Sequence, residues 1–209
     1  MLTTLKVLMA GAIEQDIRKD DPTLGIKRPK LGKEGWHPWA EKEIAAFEAR
    51  HPIGSPARLA FALALYTSQR GSDLIKMGRQ HIRDGMISVV QQKTGARLWI
   101  PIHSQLKIII DTAPADQLTL LISETGRPYA GASSLSHAMN RWTKEAGLIN
   151  CPLHGLRKAC CRRLAEAGCS TQEIMSISGH TSLAEVERYT KGVDQQHMAA
   201  CAMARMERG

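Results

Sequence analysis

In PLHGLRKACC, residues 152–161, His154 and Arg157 stand three apart just after a proline, in a stretch that reads as the start of a helix. Residues at i and i+3 share one helix face, so the imidazole and the guanidinium point at a common spot beyond the first turn, and that spot attracts anions. Similar polar residues stand at other breaks in the pattern. Arg70 follows an apolar helix, Lys93 sits on the shoulder of a hairpin, His180 comes after a helix-ending glycine, and Tyr189 falls near the end of a last short helix. Together they read as a phosphate site.

The elements that must position these groups follow from periodicity and punctuation. Residues 2–17 carry Leu2, Leu5, Leu8, Ala12, Ile13 and Ile17 at helical spacing, an amphipathic stripe in need of a partner surface. DPTLGIKRPKLGKEGWHP has no period and reads as an extended linker, so the compact domain begins near Trp36. WAEKEIAAFEAR predicts a helix and PARLAFALALYT a buried one, and TSQRGSDLIKM breaks and restarts the helix. MISVVQQ and RLWIPI predict an antiparallel hairpin with its turn at Thr94-Gly95. SQLKIIIDTA reads as a helix, TLLIS as a short strand, and SSLSHAMNRWTKEAG as a helix closed by Gly147. HGLRKACCRRLAEAG then ends at Gly168, Ser170 with Glu173 forms a capping box for a helix ending at Gly179, and Ser182 with Glu185 opens another. The fold class is mostly α with a small antiparallel β-sheet.

The bulk numbers bound the function. A chain of 209 residues with 43% hydrophobic content can bury a core, and a net charge of +8 with pI ≈ 9.4 suits an anionic partner, though many enzymes that never meet nucleic acid are as basic. Five cysteines, odd in number and without a CxxC pair, argue against a disulfide framework and against zinc, and fit a reducing compartment. The longest apolar runs are too short to span a bilayer and the first residues lack a signal-peptide pattern, so the expected location is cytoplasmic.

In TSQRGSDLIKM, QQKTGARLWIPI, HGLRKACCRRLAEAG and SGHTSLAEVERYT, in that order across roughly residues 36–192, the chain resembles the tyrosine recombinases, or phage-type integrases. The chemistry can be stated from the residues. Breaking a phosphodiester passes through a pentacoordinate phosphorus with extra negative charge on its non-bridging oxygens, and Arg70 and Arg157 offer permanently charged, forked donors to it. Tyr189 is the candidate nucleophile. Its phenol, with an ordinary pKa near 10, needs a site that favours phenolate, a task for the arginines and a histidine. Lys93 is the candidate general acid toward the departing 5′ oxygen. His154 and His180 would accept a proton or hold the phosphate or the tyrosine, and the sequence does not divide those roles. Taken singly, each residue also has an ordinary role: a solvated turn lysine, a surface arginine at a helix start, a tyrosine packed in a core.

The resemblance adds further expectations. Asp73 matches an acidic position that accompanies the first arginine and supports the site. The product is a 3′-phosphotyrosyl link with a free 5′-hydroxyl, resolved by attack of another strand, with no nucleotide cofactor and no metal. The partners are double-stranded DNA and further copies of the chain, as a tetramer, encoded by a bacterium, phage or mobile element. Residues 1–35 are expected to be the remnant helix and linker of a missing N-terminal DNA-binding domain, and 36–209 the catalytic domain with a helical tail, QQHMAACAMARMERG, whose apolar face docks on a neighbour or on its own domain. Two rival readings are a helix-turn-helix regulator, suggested by AGCSTQEIMSISGHTSLAEVERY, which leaves Arg70 and the Lys93 hairpin without a purpose, and a type IB topoisomerase.

Overall fold

Left-handed caps and buried apolar helices account for most of the architecture. The computed structural model describes residues 2–26, 35–190 and 195–207, and the chain divides into two units, Met1–Gly35 and Trp36–Gly209.

In the first unit, α1 (Leu2–Glu14) ends before Ile17 because Asp16 takes a left-handed conformation (φ 55°) and Ile17 N–H closes back onto Ala12 O at 2.9 Å. The apolar stripe of α1 contains no buried residue, contrary to the burial its periodicity calls for. The extended linker expected over DPTLGIKRPKLGKEGWHP, residues 21–38, lies partly outside the described residues. Its described part contains a turn in which Asp21 accepts both the N–H and the hydroxyl of Thr23.

The second unit builds its core on α3 (Pro56–Thr67). Ser55 caps it by accepting Arg58 N–H at 3.2 Å, Pro56 opens it, and its Ala/Leu body is buried nearly all round. Against α3 pack α5 (Ser104–Asp111), α6 (Ala132–Glu145) and α7 (Leu153–Glu166). Beside them lies α2 (Glu41–Arg50), with Glu43 Oε2 accepting Ala40 N–H at 2.7 Å. The fully buried Trp39 stacks its edge on Phe47 and donates Nε1–H to Pro152 O at 3.0 Å, tying the entry of α2 to the first turn of α7. Glu41 binds both Arg162 and Arg163 on α7, and these bonds hold its carboxyl down at about 2.

A short α4 (Gly71–Leu74) leads to a three-stranded antiparallel sheet in the order β1 (Ile82–Arg83), β2 (Met86–Val90), β3 (Arg97–Pro101). The β2–β3 hairpin falls where the sequence puts it, closed by Gln91 N–H to Ala96 O and Gly95 N–H to Gln91 O, both at 2.9 Å. The first strand is an addition: Asp84-Gly85, both at positive φ, make the primed two-residue turn that the pair Asp-Gly favours. TLLIS is not a strand. It contributes one isolated bridge, Ile122 to Pro128, while the N–H of its Leu120 bonds Met77 O at 2.8 Å.

The last third follows its punctuation. Ser170 and Glu173 cap α8 (Thr171–Ser178) reciprocally, Gly179 ends it at φ +67°, and α9 (Leu183–Thr190) and α10 (Gln195–Met206) follow. The tail segment falls partly outside the described residues. Among the described residues no helix is long and apolar enough to cross a membrane.

Gly155 is the tightest point of α7: an added Cβ would stand 2.3 Å from His37 O and 2.7 Å from Trp39 Cδ1, a backbone atom and a fixed ring. Gly155→Ala is expected to lower unfolding free energy by about 1–3 kcal/mol, read from the urea midpoint at unchanged slope.

Candidate active site

Arg157 lies on the buried side of α7 and is 2% exposed. Its Nη1 donates to Ser68 O and, at 2.8 Å, to Ser178 O. Ser68 is the left-handed cap of α3 (φ 56°) and Ser178 the last residue of α8, so both carbonyls belong to helix C-termini, where partial negative charge accumulates. Burial, and then the neighbouring Arg70, lower the guanidinium pKa, yet arginine remains charged. Its Nη2 is buried without a hydrogen-bond partner.

Arg70 sits at the start of α4 and donates Nη1–H to the side-chain oxygen of Gln91 at 3.2 Å. Gln91 is 1% exposed. Its oxygen also accepts the Thr94 hydroxyl at 2.7 Å, while its nitrogen donates to Gln69 Oε1 (2.7 Å) and to Ser178 O (2.8 Å). Asp73 is buried, accepts Gln92 N–H at 2.8 Å through Oδ1, and leaves Oδ2 unpaired. Lys93 lies exposed on the hairpin loop between these tethered residues, near enough to His154 to disfavour its charged form.

His154 and His180 are both pushed down to about 4, first by burial and then by the surrounding cations Arg157 and Arg70. His154 meets the exposed Trp36 edge-on, with ring centroids 6.5 Å apart. The Nδ1 of His180 lies 2.7 Å from the Ser178 hydroxyl, and its ring is 6.3 Å from that of Tyr189. The Tyr189 phenol is pushed up to about 12, mainly by burial and only partly opposed by Arg157. This corrects the expectation that the arginines and a histidine favour phenolate: in the protein alone the phenol is held more firmly protonated than in water.

The seven residues singled out by sequence thus share one centre, with Arg157 facing Arg70, Asp73 and Tyr189, and both histidines facing the two arginines. The regulator reading gives way to the same geometry, since the turn between α8 and α9 carries His180 into this centre. Sequence reasoning passed over Ser68, Gln69, Gln91 and Ser178. The signal for Gln91 was the strand period: Ile87 and Val89 are buried, Gln91 continues their alternation, and a polar residue at an inward position marks a buried network. Among the described residues His37, Glu43 and Cys151 have ligand atoms within 4.8 Å of one another, but Glu43 Oε2 is engaged by Ala40 N–H and by His37 Nε2 at 2.8 Å, and burial pushes the Cys151 thiol up to about 12.

Residues 39–196 match the profile of the phage integrase family. The chain is 25% identical over 222 residues to the tyrosine recombinase XerC of Alcanivorax borkumensis, covering 95% of this chain and 69% of that one. It superposes on a lambda integrase dimer bound to a COC′ core site with TM-score 0.72 and 25% identity, covering 90% of this chain and 71% of that one. A lambda integrase tetramer bound to a Holliday junction gives TM-score 0.69 and 26% identity, over 88% and 58%.

The histidine values fix a pH dependence. With folded values about 4 against 6.5 for the free side chain, the unfolded chain takes up protons first as pH falls. Stability from these two groups is therefore whole above 6.5 and is lost progressively from there down to about 4. Urea midpoints across that window are expected to fall less steeply in a His154→Gln/His180→Gln double variant than in the parent.

Proposed function

The chain belongs to the phage integrase family, the tyrosine recombinases, and from that premise we propose that these seven side chains form its DNA strand-transfer centre. The phosphate of a scissile strand sits between Arg70 and Arg157, whose charges answer the negative charge that grows on the non-bridging oxygens as phosphorus becomes pentacoordinate. The Tyr189 oxygen attacks phosphorus, the bond to the 5′ oxygen breaks, and the strand is held as a 3′-phosphotyrosyl ester. Lys93 supplies the proton to the leaving 5′ oxygen. The Tyr189 proton leaves through a histidine as the new bond forms, because both imidazoles are neutral at pH 7. The bound phosphate offsets the cations that depress those imidazoles, so their basicity rises when substrate is in place. Asp73 holds the loop that carries Lys93. The bond energy is retained in the ester, and attack by another strand's 5′-hydroxyl reverses the chemistry.

The observation that carries this reading is the buried Arg157 guanidinium with one nitrogen unbonded, set among Arg70, His154, His180 and Tyr189. The substrate follows as double-stranded DNA. Lambda integrase solved as a dimer on a core site and as a tetramer on a Holliday junction supports assembly of several copies on DNA. A topoisomerase would share the nucleophile, but the family match favours joining of two sites.

A nicked suicide duplex, resolved on a denaturing gel, is expected to give a covalent protein–DNA adduct that EDTA does not abolish and that Tyr189→Phe lacks. Arg70→Ala is expected to slow adduct formation by about 10²–10³ while leaving salt-sensitive duplex binding nearly intact. Adduct formation by Tyr189→Phe at the parent rate would overturn the assignment.

A further inference from the structure

Lys93 is exposed on a loop, yet a general acid must be held within hydrogen-bond reach of its leaving group. The structure fixes the residue on each side of it. Asp73 Oδ1 takes the N–H of Gln92, and Gln91 Oε1 takes the hydroxyl of Thr94. The Gln91 carboxamide is the more connected tether, since all four of its hydrogen-bonding positions are used. Its orientation is forced. Arg70 can only donate, so the oxygen must face it, and Ser178 O can only accept, so the nitrogen must face that. Gln69 cannot turn to accommodate a reversal, because its own nitrogen is committed to Thr67 O and Ile177 O at 2.8 and 2.9 Å. Gly179 completes the fit: a Cβ there would lie 2.4 Å from the Gln91 nitrogen.

We propose that Gln91 is a positioning residue for the general acid: its carboxamide locks the Lys93 loop in register with Arg70 and with the α8 turn that bears His180. The proposal rests on Lys93 being the acid. One amide plane then carries, on its oxygen side, the phosphate-binding Arg70 and the loop hydroxyl of Thr94, and on its nitrogen side the carbonyl that also holds Arg157. Breaking the lock leaves the phosphate clamp charged but lets the ammonium wander.

A substrate with sulfur in place of the 5′ bridging oxygen separates these effects. When its P–S bond breaks, the leaving sulfur keeps the electron pair as a thiolate and needs no proton, whereas the demand on Arg70 and Arg157 is unchanged. Lys93→Ala tests the underlying reading: slow on the oxygen substrate and restored by sulfur if Lys93 is the acid, slow on both if it is not, which overturns the acid and the positioning role together. Given that restoration, Gln91→Met, which keeps the volume and deletes the hydrogen bonds, is expected to cleave the oxygen substrate about 10- to 100-fold slower, part of what a general acid contributes, and the sulfur substrate near the parent rate. Thr94→Val, at an exposed position that spares the fold, is expected to show the same pattern more weakly. Arg70→Ala should gain nothing from sulfur. Activity on the sulfur substrate itself certifies folding. If Gln91→Met is slow on both substrates while Thr94→Val matches the parent on both, or if neither variant is slowed, Gln91 does not place the acid.

Discussion

Every part of the centre is arranged around one buried charge. A guanidinium taken out of water costs several kcal/mol unless its donors are met, and Arg157 is met by carbonyls that two separate helices leave free at their C-termini. That solution dictates backbone elsewhere. Ser68 must turn left-handed so that α3 ends with its carbonyl facing α7, and α8 must stop at Gly179 so that Ser178 O reaches the same nitrogen. The remaining nitrogen is buried and unbonded, a penalty of about 1–3 kcal/mol for an unmet buried donor, which in the proposed function a phosphate oxygen would remove. In the proposed strand-transfer centre, folding therefore bears the cost of keeping a donor unmet until substrate brings charge, which is what electrostatic preorganisation means in structural terms.

The same logic accounts for the direction of the neighbouring titrations. Burial weakens the ionised form of every group, and the cations press the histidines further toward neutrality while opposing the upward shift of the tyrosine. The protein alone is thus a set of positive charges beside neutral imidazoles and a protonated phenol. In the proposed function a phosphate would offset the repulsion between Arg70 and Arg157, restore basicity to the imidazoles, and supply the acceptor that Arg157 lacks. These gains arrive with one ligand and grow as its charge grows, so they favour the transition state over the ground state.

Much of this was legible before the fold was known, for identifiable reasons. Helix ends are written in local chemistry: Ser170 with Glu173, Gly179 and Ser55-Pro56 each act within one turn, and each behaves as its residue type dictates. The residues that bear chemistry stand at such ends, so the boundaries also exposed them. What escaped was the non-local part. TLLIS has the composition of a strand, but no neighbouring strand offers it a ladder. The stripe of α1 has helical period, but period does not name a burying partner. Gln91 is one of two glutamines ending the MISVVQQ run, and only the inward alternation of β2 distinguishes it from the exposed Gln92. Tyr189 lies beside Arg157 and His180, but its proton was misjudged, because the sequence counts nearby arginines and cannot weigh them against burial.

The proposed nucleophile is attached differently from the proposed phosphate clamp. Arg157 and Asp73 are rooted in the large core around α3, with which the buried Leu74 and Leu156 are continuous. Tyr189 belongs to a smaller cluster in which Cys161, Ala165, Ile174 and Val186 are buried and the tyrosine ring packs only partly. Val186 is the single buried residue recorded on α9, and its burial together with part of a phenol is worth only a few kcal/mol, far less than the core that fixes the arginines. Local opening free energies follow buried contacts, so α9, on this smaller cluster, is less firmly anchored than the elements of the large core. A strand-transfer centre has reason to be built this way. In the proposed chemistry the clamp is ready before the phosphate arrives, whereas the tyrosine has to approach in line, become esterified to DNA and later be released, and α9, which packs on α7 and α8 through Val186 and part of Tyr189, is the less deeply rooted of the two.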